Sequence, residues 1–181
     1  MTSKHSICQI KVSLLGIEPP IWRRFQVRSD ISVARLHEIL QVVMGWENYH
    51  LYQFEIRGEY FGEPHPDYMD EMLDASKVKL SKLFPGPGAK FIYEYDFGDS
   101  WEHEVKLEKI LPPEKGKHYP VCLAGKRACS PEDCGGVWGY IDLLEILRNP
   151  ESEDPDGLRE WVGDDFDPEE FNLEAVNRML K

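Results

Sequence analysis

At 181 residues, with 41% hydrophobic and 30% charged residues, the chain has the length and balance to bury one core, and no low-complexity segment interrupts it. No stretch approaches the roughly 20 apolar residues of a membrane span. A net charge of −12, with no Lys/Arg stripe to offset it, disfavours direct binding to a phosphate backbone.

That charge is uneven, because residues 151–181 hold eleven Asp and Glu against Arg159, Arg178 and Lys181. Lys11 and Ser13 break any apolar run in Met1–Ile17, so a cytoplasmic location is expected. The four cysteines are then expected as thiols or metal ligands rather than disulfides.

In chain order, Cys8–Leu14 alternates apolar and polar residues, Gly16–Pro20 interrupts, and Ile21–Val27 alternates again, which predicts an opening hairpin. Ser29, Asp30 and Ser32 offer N-caps for a helix carrying Val33, Leu36, Ile39, Leu40 and Val43 on one face, with Gly45 as its stop. Leu51–Ile56 predicts a third strand, ended by Gly58. Gly62–Ala75 shows no period and is expected as a surface excursion. A short helical turn follows over Val78–Phe84, and the Pro85–Gly88 break separates it from a second hairpin. There Phe91, Tyr93, Tyr95 and Phe97 alternate, Asp96–Asp99 supplies a turn, and Trp101, His103, Val105 and Leu107 resume the alternation. A cysteine-bearing loop is expected next. Tyr140–Leu147 then forms a helix stopped at Asn149–Pro150, a short helix carries Leu158, Trp161 and Val162, and a final helix runs over about Leu173–Leu180.

The order hairpin, helix, strand, turn, strand is that of an α+β, β-grasp (ubiquitin-like) mixed sheet with a crossing helix. In that fold the first and last strands lie together in the centre, and Trp101–Ile110 would extend the sheet. One domain over residues 1–181 is expected: a sheet-and-helix body over 1–110, the cysteine loop over 111–137 and an acidic helical tail over 138–181.

Several phrases carry a family resemblance: Ile21-Trp22-Arg23-Arg24, Met44-Gly45-Trp46, Tyr95-Asp96-Phe97-Gly98-Asp99-Ser100-Trp101-Glu102-His103, Cys122-Leu123-Ala124-Gly125, Pro131-Glu132-Asp133-Cys134-Gly135-Gly136 and Phe166-Asp167-Pro168. Together they resemble the plasmid pRiA4b ORF-3-like family over nearly the whole chain. The Ala128-Cys129-Ser130-Pro131 segment departs from the commoner double-proline form. The resemblance implies a prokaryotic protein, in some members a passenger of plasmids or insertion elements, with a resolvase-type label attached to some. No serine or tyrosine recombinase constellation accompanies it.

Three sets of residues invite chemistry. Cys122, Cys129 and Cys134, with His118 or His103 as a fourth ligand, have the donor types of a structural zinc site, although no Cys-x-x-Cys knuckle is present. The bland reading is a loop of reduced, partly buried thiols. Asp96, Asp99 and His103 could serve acid–base work if the hairpin brings them together; the favoured account is ordinary turn chemistry of the two acids around Gly98, with His103 packing or capping. His37, His50, Trp22, Trp46 and Trp101 could line one pocket or complete a core edge. With no complete catalytic constellation, the expected function is a binding or adaptor module for a protein partner. The alternatives are a metal-assisted or acid–base hydrolase using Asp96, Asp99 and His103, and an accessory role in mobile-element DNA transactions.

Overall fold

The alternating segments of the first half join one sheet. In the computed structural model, which describes residues 5–64 and 72–181, β1 (Ile7–Leu14) pairs antiparallel with β2 (Trp22–Arg28). Their period of two sends Cys8, Ile10, Val12, Leu14, Phe25 and Val27 to one buried face. Helix α1 (Val33–Met44) begins at Ser32, whose hydroxyl accepts from the Arg35 N–H at 3.0 Å, and stops at Gly45, whose φ of 107° is left-handed. Its apolar residues Val33, Leu36, Ile39, Leu40 and Val43 join the same buried cluster.

Strands β3 (Tyr52–Ile56) and β4 (Glu59–Gly62) close on Arg57 and Gly58, with φ of 55° and 81°. Two left-handed residues in succession are what a tight hairpin turn requires. Strand β5 (Met72–Asp74) then lies parallel to β4 at the sheet edge. Part of the expected surface excursion is therefore sheet, and residues 65–71 of it lie outside the described residues. A 3₁₀ turn at Leu80–Lys82 leads to β6 (Lys90–Tyr95) and β7 (Trp101–Leu111), the second hairpin.

The sheet has eight strands in the order β5-β4-β3-β6-β7-β1-β2-β8, and every neighbouring pair is antiparallel except β4 with β5. The α+β class is as expected, but the sheet is larger than a grasp. Trp101–Leu111 does not extend its edge; it lies in the middle and pairs antiparallel with β1. Strand β8 (Val121–Lys126) was also not expected, since this stretch reads as part of the cysteine loop.

Helices α2 (Gly136–Arg148), α3 (Leu158–Val162) and α4 (Leu173–Met179) follow. Tyr140, Leu143, Leu144 and Leu180 enter the main buried cluster. The outer edge of β8 is closed by Asn177 of α4, whose amide accepts from the Cys122 N–H at 2.8 Å and donates to the Cys122 carbonyl at 2.9 Å. A side-chain amide thus replaces a neighbouring strand at an edge that would otherwise be open to pairing. Arg127 adds a second tie, donating to Glu169 at 2.9 Å and to the Pro19 carbonyl. Among the described residues no helix is long and apolar enough to cross a membrane.

Arg23 is a buried cation, at 2% exposure. Its guanidinium donates to the carbonyls of Val43 at 2.7 Å and Met44 at 3.4 Å, which end α1, and to that of Lys126 at 2.9 Å. A cation at a helix C-terminus satisfies orphan carbonyls and meets the negative end of the helix dipole. Phe171 of the tail stacks on it at 4.3 Å.

Candidate functional site

Three distant segments meet at one end of the sheet because of strand register. Tyr52 of β3 lies opposite Tyr95 of β6, so the residues just before β3 sit beside those just after β6. The Asp96 N–H donates to the Leu51 carbonyl at 2.9 Å, which fixes that neighbourhood. The loop before α2 is drawn in by the Gly135 N–H, which donates to Asp99 Oδ2 at 3.2 Å. Close approach here requires Gly136, because a Cβ at that position would stand 2.6 Å from the Asp99 carbonyl oxygen.

The result is a histidine nitrogen surrounded by carboxylates. His50 Nε2 lies 3.1 Å from Asp133 Oδ1 and 3.6 Å from both Asp96 Oδ2 and Glu132 Oε2. These are ion-pair distances, yet the same buried nitrogen makes no aligned hydrogen bond to any of them. Asp96 is held from behind, its Oδ1 accepting from the Gly98 N–H at 2.9 Å. Glu132 Oε1 accepts from the Glu47 N–H at 2.7 Å and from the Tyr95 hydroxyl at 3.1 Å. The same hydroxyl accepts from the Tyr49 N–H at 2.9 Å. Burial and the nearby Glu132 carboxylate raise the Tyr95 phenol well above its ordinary range, so it stays a donor.

Beside this cluster opens a cleft of about 780 Å³ between α1, the start of β3 and the β4–β5 edge; His37, Glu38, Asn48, Tyr49, His50, Tyr52, Glu63 and Asp74 are among its lining residues. Its floor is rigid. His37 stacks on Tyr52 with ring centroids 3.5 Å apart. A directed chain of hydrogen bonds runs from Gln41 Nε2 to the Tyr93 hydroxyl at 2.7 Å, from that hydroxyl to His37 Nδ1 at 2.8 Å, and from His37 Nε2 to Asn48 Oδ1 at 2.8 Å. The Asn48 oxygen can only accept, which places the His37 proton on Nε2. Burial lowers His37 to about 4, so its ring is neutral at physiological pH.

His103, a candidate acid–base partner for Asp96 and Asp99 whose alternative was simple packing, lies in the core at 0% exposure. Its Nδ1 donates to the Tyr93 carbonyl at 3.2 Å and its Nε2 accepts from Trp46 Nε1 at 3.2 Å. Burial lowers it to about 4. Among the described residues no carboxylate lies within ion-pair distance of it, so the trio Asp96, Asp99 and His103 is not assembled. Asp96 faces His50 instead, and Asp99 anchors Gly135.

The cysteines are placed apart in the same sense. Cys122 Sγ turns to the Arg24 carbonyl at 3.5 Å, Cys134 Sγ to the Gly136 carbonyl at 4.0 Å, and Cys129 packs beside Gly45. Burial pushes the Cys129 and Cys134 thiols up to about 12 and raises Cys122 as well. Among the described residues, the only three His, Cys, Asp or Glu donor atoms within 4.8 Å of one another belong to His50, Asp96 and Asp133. The expected set of Cys122, Cys129 and Cys134 with His103 or His118 is therefore not gathered. Strand β8 aims Cys122 inward opposite Phe25, and His118 stays exposed ahead of that strand. Of the expected pocket residues, His37 and His50 do share a cleft. Trp46 and Trp101 are core, and Trp22 faces the other side of the sheet under Lys11 and Arg24.

A family model described as plasmid pRiA4b ORF-3-like protein matches residues 6–175. The chain belongs to that family. A relative in Sinorhizobium fredii (strain NBRC 101917 / NGR234), uncharacterized protein y4hQ, is 41% identical over 177 residues, covering 97% of this chain and 91% of its own length. The crystal structure of MM3350 from Methanosarcina mazei Go1, a protein of unknown function, is 43% identical with a TM-score of 0.87, covering 95% of this chain and 98% of that one. The family phrase Pro131–Gly136 supplies the two acids that sequence reading passed over, Glu132 and Asp133. The signal was present in two acids next to a Gly-Gly pair, but the adjacent Cys134 drew the chemical reading.

Proposed function

We propose that this family member is a binding module that takes a positively charged segment of a partner protein into the cleft between α1 and β3. The observation that carries this reading is the cleft lining, in which Glu38, Glu63 and Asp74 supply carboxylates and, among the described residues, neither Lys nor Arg appears. Tyr49 at 73% exposure and Leu51 at 41% stand at its lip, offering a face for a cationic head and an aliphatic stem. Glu38 and Asp74 are tied to Arg35 and Lys77, but such exposed pairs are weak and a ligand cation can displace them. The net charge of −12 adds long-range attraction for a basic partner.

Fluorescence anisotropy with labelled Lys/Arg-rich peptides tests the reading. Binding should weaken as salt rises and should weaken further in a Glu38→Gln, Glu63→Gln double variant. Equal binding of an acidic peptide of the same length, or an unaffected double variant, would overturn it.

One observation favours a hydrolase as the second reading: His50 Nε2 faces Asp96 and Glu132 beside an open cleft, in the role first given to His103. Turnover in a hydrolase screen that His50→Ala abolishes would support that reading; turnover that survives would remove His50 from the mechanism.

A further inference from the structure

We infer that His50, Asp96 and Asp133 form a site for one divalent first-row transition cation of the Mn²⁺ or Zn²⁺ class. This goes beyond the peptide-binding reading and does not depend on what the cleft recognises.

Spacing is the first support. Ligand atoms around a cation with bonds of about 2.1 Å lie about 3.4 Å apart in a tetrahedron and about 3.0 Å apart in an octahedron. The nitrogen-to-oxygen separations of 3.1 Å to Asp133 and 3.6 Å to Asp96 lie close to those values. All three donors come within 4.8 Å of one another, although their positions in the chain are far apart.

The unpartnered His50 nitrogen is the second, independent support. The Asp96 side chain is only 9% exposed, and while its Oδ1 is occupied by the Gly98 N–H, its Oδ2 points at His50. His50 Nε2 is itself buried and has no aligned hydrogen-bond partner. A buried imidazole nitrogen that faces two carboxylate oxygens without an aligned hydrogen bond leaves a place for a ligand, since burial without a partner is costly.

Charge points the same way. Among the described residues, no Lys or Arg lies within ion-pair distance of Asp96, Glu132 or Asp133, and His50 is the sole basic group facing all three. Glu132, locked by the Glu47 N–H and the Tyr95 hydroxyl, adds negative potential at 3.6 Å from the imidazole and orients the site from its outer shell. One imidazole with carboxylates selects Mn²⁺, Fe²⁺ or Zn²⁺ over the all-oxygen preference of Ca²⁺ and Mg²⁺.

The test uses the full chain, freed of metal by chelation and dialysis, titrated with Mn²⁺ by the loss of free-ion EPR signal and with Zn²⁺ by calorimetry. Close to one equivalent should bind. His50→Gln and Asp133→Asn should each weaken binding by at least about tenfold; Asp133 is 69% exposed, so its replacement leaves folding intact, checked by circular dichroism. Cys129→Ser should bind as the native chain does. If neither ion binds, the cluster is only a histidine packed among carboxylates and the inference fails. It also fails if Cys129→Ser loses the ion while His50→Gln keeps it.

Discussion

Stability should drop between about pH 6.5 and pH 4.5, and two buried histidines set the amount. His103 and His37 are lowered by burial from an ordinary 6.5 to about 4. Each ring is neutral in the fold and takes a proton only near pH 4, whereas in the unfolded chain it takes one below 6.5. Stability is therefore complete above pH 6.5 and is lost as pH falls through that window, by about 2 kcal/mol per histidine at pH 5 and about 3 kcal/mol at the limit. The geometry explains the reluctance of His103, since a proton on Nε2 would set N–H against the Trp46 N–H at 3.2 Å. Glu108, lowered to about 2 by its Arg24 hydrogen bonds, acts in a more acid window and does not blur the effect. Urea unfolding followed by tryptophan fluorescence at about pH 8, 6.5 and 5 measures the slope. His103→Gln keeps an acceptor for Trp46 and removes one titration, so roughly half the slope should disappear. A native stability flat from pH 7 to pH 5, or an unchanged slope in His103→Gln, would refute the reasoning.

Three further outcomes follow from buried contacts. Arg23→Lys keeps the charge but cannot fork across the carbonyls of Val43, Met44 and Lys126; a loss of about 2–4 kcal/mol is expected in thermal or urea unfolding. Gly136→Ala should cost about 1–3 kcal/mol, because its φ of 68° is left-handed and the new Cβ would meet the Asp99 carbonyl. With Cys129 and Cys134 pushed up to about 12, almost no thiolate exists at pH 8. Iodoacetamide should label them far more slowly in the native chain than after unfolding, as read by mass spectrometry.

Much of the sheet was legible because alternation is a local signal. The same period that identifies β1, β2, β3, β6 and β7 assigns their inward residues, and Ser32 and Gly45 bound α1 as capping chemistry predicts. That period also places His103 on the inward face with Trp101 and Val105, so its removal from any exposed acid–base group could be read from the strand that carries it. Val121–Lys126 was missed because Ala124 and Gly125 dilute its strand signal, and it pairs with β2 from far along the chain. The His50 cluster is illegible for a related reason. It needs the β3–β6 register and the Asp99 to Gly135 hydrogen bond, both long-range, before Asp96 and Asp133 meet. Asp96 serves the turn through Oδ1, and only the packed structure reveals that Oδ2 faces His50.

The most direct measurement of the central claim is a map of backbone amide shifts on the full chain as a Lys/Arg-rich peptide is added. The account predicts perturbations concentrated at Glu38, Asn48, Tyr49, His50 and Glu63 around the cleft, diminishing as salt is raised. Shifts confined to the opposite sheet face around Trp22 and Lys11, or no shifts at all at low salt, would contradict it.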